Sequence, residues 1–379
     1  MTWVSLNSAS NRPTFKPLNK QTQSQQLSFH FHHFSFLCFL SRCYNYTRNT
    51  FKMSDSLSSA VMSEKVGIIG SGLIGRSWAM LFAAGGFRVS LYDSQENAVA
   101  EARKLILQQL TTLQQQGLLR GTLSVEAQFE LITEAHSLED CVTNASYIQE
   151  CVPENLELKI KLFTLIDQFV DDPDMVLASS SSCIPPSQFS ENLTHRAQVL
   201  VAHPVNPPYF VPLVELVPAP WTLPHITDKA RAYQTKIGQS AVTLRREIPG
   251  FALNRIQYAI LNECWRLVAD KVLSPEDVDT VMKDGLGPRY AFMGPFETIH
   301  LNAEGVTSYC DRYADTIYRV SETFGPTPTM TPGGDVCNEI EKEIVKTIPI
   351  AELAARRQWR DDRLAELSKL KRNVNHFSH

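Results

Sequence analysis

The chain has 379 residues, with 36 Lys and Arg against 40 Asp and Glu, a formal net charge of −4, and 43% hydrophobic residues. That balance gives no electrostatic footprint for nucleic acid or a membrane surface, and no apolar run reaches the ~18 residues that cross a bilayer. The length suits two or three domains with a sizeable core. Eight cysteines with no CxxC pair point to free thiols in a reducing compartment.

Residues 1–62 differ in kind from the rest. The first acidic residue is Asp55, and the stretch is rich in Ser, Gln, Asn, Phe and His. It reads as a disordered leader, or as an extension not made at all if translation begins at Met53 or Met62. The protein is then expected in the cytoplasm. An Arg-containing, Ser-rich, acid-poor leader also fits a mitochondrial transit peptide, which would change that address. His30, His32 and His33 lack carboxylate or thiolate partners at ligand spacing, so no metal site is expected.

The ordered chain opens with KVGIIG, a short buried strand, then Gly70-Ser71-Gly72-Leu73-Ile74-Gly75 and the apolar run RSWAMLFAAGG. Gly70 permits a tight turn, Gly72 lets the backbone approach a pyrophosphate, and Gly75 lets a helix pack on the strand. The helix, from about Arg76, places Trp78, Leu81 and Phe82 on a buried face and stops at Gly85-Gly86. Its N-terminus offers free N–H groups and positive dipole to a diphosphate. The next strand, RVSLYD, ends in Asp93, eighteen residues after Gly75, where an acid binds ribose hydroxyls. Asp93 would repel a 2′-phosphate, and no Arg follows it directly, which argues for NAD over NADP.

A helix is expected over Ser94 to about Leu119, and residues 123–144 read as a further helical excursion. A strand in ASYIQECVPE then leads to a helix opened by Glu154-Asn155-Leu156-Glu157-Leu158-Lys159. MVLAS runs into the serines 179–182 and then Cys183-Ile184-Pro185-Pro186. QVLVA, PLVELV and AVTLRR supply three more strands, with a helix from about His225 to Ile237 before the last. From Pro249 onward the pattern is helical only. The expected organisation is therefore an α/β Rossmann-like, doubly wound domain over 63–247 and an all-α domain over 248–379.

His203 sits just past QVLVA, and Glu215 follows twelve residues later inside PLVELV. Imidazole exchanges protons near neutral pH, and a neighbouring carboxylate fixes its tautomer and favours its charged form. Pro204, Pro207, Pro208 and Pro212 keep the connection from becoming a helix. Alone, such a pair is more often a structural histidine and an unrelated glutamate. Ser182, at the carboxyl end of a strand, and Asn254, in PGFALNR, fit beside it, because a hydroxyl and an amide both bind an oxygen that alternates between alcohol and ketone. By themselves they read as a turn residue and a cap.

Taken in order and spacing, GIIGSGLIGRSWAMLFAAGG, the EC-VPENLELK segment, ASSSSCIPPS, AHPVNPPYFVPLVELV and PGFALNR resemble the 3-hydroxyacyl-CoA dehydrogenase family, over about Glu64 to Lys371. The resemblance implies a Rossmann-like domain, then a helical domain that dimerises, with NAD as cofactor. It implies His203 as the general base, Glu215 as its orienting partner, and Ser182 and Asn254 as ligands of the reacting oxygen. Leu73 and Ile74 would give backbone contacts to the dinucleotide, Asp93 the ribose contact, and Glu154 with Lys159 further cofactor contacts. Glu154 and Lys159 otherwise read as ordinary charges in a helix's first turns.

Departures from the acyl-CoA pattern bear on substrate. Where those enzymes read H-F-F-N-P and carry a Lys shortly before the glutamate, this chain has His203-Pro204-Val205-Asn206-Pro207 and Pro212. His300 follows Gly294-Pro295-Phe296-Glu297 in place of an acid. The segments RYAFMGPFETIHLNAEG, SYCDRY and AARRQWRD look like a branch of the family acting on a small free hydroxy acid, L-gulonate above all. Arg289, or Arg356 or Arg357, is then a candidate for the substrate carboxylate, since guanidinium matches it bidentately. A solvated surface arginine is an equal alternative for Arg289. Three readings stand: NAD-dependent oxidation of the 3-hydroxyl of such an acid, 3-hydroxyacyl-CoA dehydrogenation in fatty-acid oxidation, and a non-catalytic NADH-binding structural protein. The third has no need of His203, Glu215, Ser182 and Asn254.

Overall fold

The computed structural model describes residues 64–374. The leader, with its transit-peptide reading and its histidines at 30, 32 and 33, lies outside the described residues. Eight strands form one sheet: β1 (Lys65–Ile69), β2 (Arg88–Tyr92), β3 (Ile132–Glu134), β4 (Tyr147–Glu150), β5 (Val176–Ser179), β6 (Val199–Pro204), β7 (Leu213–Pro218) and β8 (Ser240–Thr243). Their spatial order is β3-β2-β1-β4-β5-β6-β7-β8. Neighbours from β3 through β6 are parallel, β7 runs antiparallel to β6, and β8 is parallel to β7. The strand order reverses between β1 and β4, which opens a crevice outside their carboxyl ends.

Helices cover both faces, which is why the central strands read as apolar runs rather than alternating ones. On one face lie α1 (Leu73–Ala84), α2 (Ala98–Gln115), α3 (Val125–Glu130) and α7 (Pro224–Lys236), packed with Val66, Ile68, Leu200, Ala202, Val214 and Leu216. On the other lie α4 (Leu138–Val142), α5 (Leu156–Asp167) and α6 (Ser187–Ser190), packed with Ile69, Ile148, Leu177, Val199, Val201 and Val217. Strand alternation thus sorts residues cleanly between two cores. Trp78, Leu81 and Phe82 are all fully buried, as their spacing predicts; each such side chain contributes about 1.5–3 kcal/mol on burial.

After β8 the chain is helical: α8 (Leu253–Ala269), α9 (Pro275–Thr280), a π-helical turn over Val281–Leu286, α10 (Gly287–Tyr290), α11 (Pro295–Leu301), α12 (Val306–Ser321), α13 (Asp335–Thr347) and α14 (Leu353–Val374). α14 returns to the first domain, where Ala365 is buried with the α2 residues Ile106 and Leu110. Among the described residues no helix is long and apolar enough to cross a membrane.

Two local expectations change. Residues 123–144 are not one helical excursion, because β3 interrupts them. Ile132 is buried and the segment pairs with Val89–Leu91, so an open sheet edge overrides helical preference. β6 also continues through His203 and Pro204, because the antiparallel β7 supplies partners that far.

Gly70 adopts φ +100°, which closes the turn into α1. At Gly75 a Cβ would lie 1.8 Å from the Gly70 carbonyl oxygen, a backbone atom that has no room to give. Helix propensity alone favours alanine there by about 1 kcal/mol, but overpacking costs about 1–3 kcal/mol and displaces the turn. Gly75→Ala is therefore expected to lower the melting temperature by roughly 3 °C or more and to weaken NADH binding. An unchanged melt with unchanged binding would contradict this packing.

Candidate active site

Sheet parity builds the central pair. In β6, His203 shares a face with Val199 and Val201, and in β7, Glu215 shares that face with Val217. The antiparallel register sets His203 directly opposite Glu215, where cross-strand side chains meet. Their side chains join at 2.8 Å, His203 Nδ1 to Glu215 Oε2, and both are buried. With Nδ1 donating to the carboxylate, Nε2 carries the lone pair and is the basic nitrogen. The Phe251 ring packs against the imidazole with centroids 5.7 Å apart.

The other Glu215 oxygen, Oε1, accepts the backbone N–H groups of Ala252 and Leu253, each at 2.9 Å. These amides open α8, whose N-terminus favours a negative charge. Burial works against the ionised carboxyl, but the His203 hydrogen bond and the Leu253 and Ala252 amides outweigh it and hold Glu215 below the usual carboxylate range.

The loop after β5 forms the second part of the site. Asn254, in the first turn of α8, donates its amide to the Ser182 carbonyl at 2.8 Å and also reaches the Cys183 sulfur at 3.4 Å. Ser182 itself is exposed. Glu154 Oε1 accepts from the Ser181 hydroxyl at 2.7 Å and from the Ser182 and Cys183 amides at 3.0 Å each. Lys159 is buried, with its ammonium 2.9 Å from both oxygens of Glu150 and 3.6 Å from Glu154 Oε2. Burial pushes the Glu150 carboxyl up, while Lys159, the Ser179 hydroxyl and the Val152 amide pull it back.

At the crevice, α1 begins at Leu73 with Gly72 before it and no side chain capping the helix. The first-turn amides, those of Leu73 and Ile74 among them, are therefore available to an anion. A Cβ at Gly72 would meet nothing within 4 Å, so space lies over the turn. Asp93, just past β2, accepts the Ser71 amide and hydroxyl at 2.8 Å each on Oδ2 and the Gln95 amide at 3.0 Å on Oδ1. Open backbone, a bare helix N-terminus and an acid at the end of β2 fit a dinucleotide with a free ribose 2′-hydroxyl.

The turn, Glu150, the serine loop and His203 all lie at the carboxyl ends of parallel strands, on one edge of the sheet. Ala252, Leu253 and Asn254 reach both the His–Glu pair and the serine loop. Arg289 is exposed on α10, and no hydrogen bond or ion pair joins it to these residues; Arg356 stacks on Trp359 at 3.7 Å. Sequence reasoning did not single out Glu150, whose one signal is an acid closing an otherwise buried strand. Nor did it single out Tyr258, one helical turn past Asn254, whose phenol the neighbouring Cys183 pushes up in pKa.

A glycine turn for a dinucleotide, with a buried histidine–carboxylate pair at the same sheet edge and a helical second domain, defines an NAD-dependent dehydrogenase. The model of the 3-hydroxyacyl-CoA dehydrogenase NAD binding domain matches residues 65–248, and that of the C-terminal domain matches residues 250–329. The chain belongs to the 3-hydroxyacyl-CoA dehydrogenase family. It is 53% identical over 309 residues to the lambda-crystallin homolog of Rattus norvegicus, covering 81% of this chain and 96% of that protein. Lambda-crystallin of Oryctolagus cuniculus is 52% identical with the same coverage. L-carnitine dehydrogenase of Pseudomonas putida is 32% identical over 298 residues, 78% of this chain and 90% of that one.

Among solved structures, an NAD⁺-dependent dismutase, 5-formyl-3-hydroxy-2-methylpyridine 4-carboxylic acid 5-dehydrogenase, aligns with TM-score 0.65 and 25% identity. That alignment covers 84% of this chain and 100% of the other. (S)-3-Hydroxybutyryl-CoA dehydrogenase from Ralstonia eutropha aligns with TM-score 0.55 and 26% identity, over 59% of this chain and 78% of that one.

The depressed Glu215 carboxyl has a signed consequence. A group held more acidic in the folded state than its ordinary value of 4.5 stabilises the fold above that value, and the contribution is lost as pH falls through the folded-state value. Glu215→Gln is expected to be less stable than the parent at neutral pH, with the gap narrowing in acid below about 4.5. Urea melts at several pH values measure this; a gap independent of pH would rule it out.

Proposed function

We propose that the protein oxidises the 3-hydroxyl of a small free hydroxy acid with NAD, L-gulonate to 3-dehydro-L-gulonate being the first reaction to assay. The observation that carries the reading is the buried His203–Glu215 pair at the crevice edge, with Nε2 as its basic nitrogen. Bound NAD supplies the two-electron acceptor. His203 Nε2 takes the hydroxyl proton, and Glu215 stabilises the imidazolium that results. The Ser182 hydroxyl binds the reacting oxygen as it becomes a carbonyl. Asn254 holds the Ser182 loop and sits beside the same oxygen. Glu154, at the surface beside the serine loop, holds that loop, and Lys159, buried against Glu150, stands behind it rather than touching the cofactor.

A small acid is favoured over an acyl-CoA by two observations. Pro204, Val205 and Pro212 replace the acyl-CoA pattern beside the histidine, and a relative named for L-carnitine, itself a free 3-hydroxy acid, covers most of the chain. The acyl-CoA reading draws on the family models and on the hydroxybutyryl-CoA dehydrogenase fold. Purified protein offered NAD with L-gulonate, L-carnitine or a 3-hydroxyacyl-CoA is expected to reduce cofactor with L-gulonate. Reduction with the thioester alone would replace this reading. His203→Gln is expected to lower turnover by about 10²–10⁴-fold while NADH fluorescence titrations stay unchanged.

The helical domain presents Ile256, Phe292, Phe296, Leu301 and Tyr318, each at least half exposed and Phe296 78% exposed. Exposed apolar side chains, where they gather into a patch, mark interaction surfaces. A homodimer covering this face is part of the proposal, and light scattering is expected to give twice the chain mass. A monomer at micromolar concentration would remove it.

A further inference from the structure

The serine loop is held by a carboxylate from a different segment of the chain. Three donors of residues 181–183 converge on the single oxygen Glu154 Oε1. Two of them are the successive amides of Ser182 and Cys183, an arrangement that makes an anion-binding nest. Here the chain fills the nest itself. The other oxygen, Oε2, faces Lys159, whose ammonium is fixed from behind by Glu150, which also accepts the Ser179 hydroxyl. From the opposite side, Asn254 holds the Ser182 carbonyl.

We infer that Glu154 is a positioning residue: it sets the 181–183 loop, and with it the Ser182 hydroxyl, against the His203–Glu215 pair. The inference rests on the dehydrogenase reading for its catalytic meaning, but its structural content stands apart. Burial disfavours the charge on Glu154, yet the Ser181 hydroxyl, the Cys183 and Ser182 amides and Lys159 together keep the carboxyl below its usual range. The ionised carboxylate is a stronger acceptor for these three donors than a neutral group would be. A residue whose main role is cofactor contact has a different signature, because its loss weakens NADH without loosening the loop.

The test uses Glu154→Gln in the full chain with three readouts: hydrogen exchange of the peptide spanning 181–183, NADH fluorescence titration, and steady-state kinetics. The expected result is about tenfold faster exchange at the Ser182 and Cys183 amides and NADH affinity within about twofold of the parent. Turnover should fall about 10–100-fold, the scale of a small misplacement at a reacting group, with the KM for NAD unchanged. Adding Ser182→Ala to Glu154→Gln should cost little beyond Ser182→Ala alone, because both act through one hydroxyl. Unchanged loop exchange, or NADH binding weakened tenfold with turnover preserved, would overturn the inference. Should Glu154→Gln not fold, Ser181→Ala removes one of the three donors, and loop exchange and turnover decide in the same way. A parent chain inactive on every hydroxy acid would sink the functional reading alone, since loop exchange and NADH affinity still decide the role of Glu154.

Discussion

The site depends on one carboxylate serving two domains. Glu215 Oε2 takes the His203 ring N–H, and Oε1 takes the amides of Ala252, which caps α8, and Leu253, which begins it. The same group that selects the imidazole tautomer therefore anchors the helical domain to the sheet. An ionised acceptor of three hydrogen bonds is worth keeping charged, and the unpaired amides at a helix N-terminus favour a negative partner. Catalytic geometry and domain placement are thus one constraint rather than two. Asn254, next along the same turn, extends it to the serine loop.

Much of this was legible in the sequence because each feature is local. The glycine turn, the apolar face of α1 and Asp93 at the end of β2 sit within some thirty residues of one another, and their spacing carries their meaning. His203 and Glu215 were legible because a proline-bound connection between two short strands brings them together. β3 was not: it is three residues long, its only buried member is Ile132, and what makes it a strand is the exposed edge of β2. Local preference carries no trace of a vacant edge.

The charge cluster was hidden for a related reason. Lys159 and Glu154 look like surface charges at the start of a helix, and that is what most such residues are. Lys159 is instead buried against Glu150, a partner nine residues away, because α5 packs over the ends of β4 and β5. A buried pair of this kind adds little net stability against a well-packed apolar alternative; its effect is to fix one arrangement of the loop above it.

The reversed direction of β7 has a consequence for how the chain tolerates change. Because successive residues of a strand alternate between faces, Val214 and Leu216 belong to the core under α1 and α7 while Glu215 belongs to the site. Sliding this strand by a single step would offer the imidazole an aliphatic neighbour and drive a carboxylate into hydrocarbon. Length variation between residues 205 and 212 is therefore admissible only if it bulges outward and leaves the pairing untouched, an odd-and-even rule written into the hairpin rather than into any side chain.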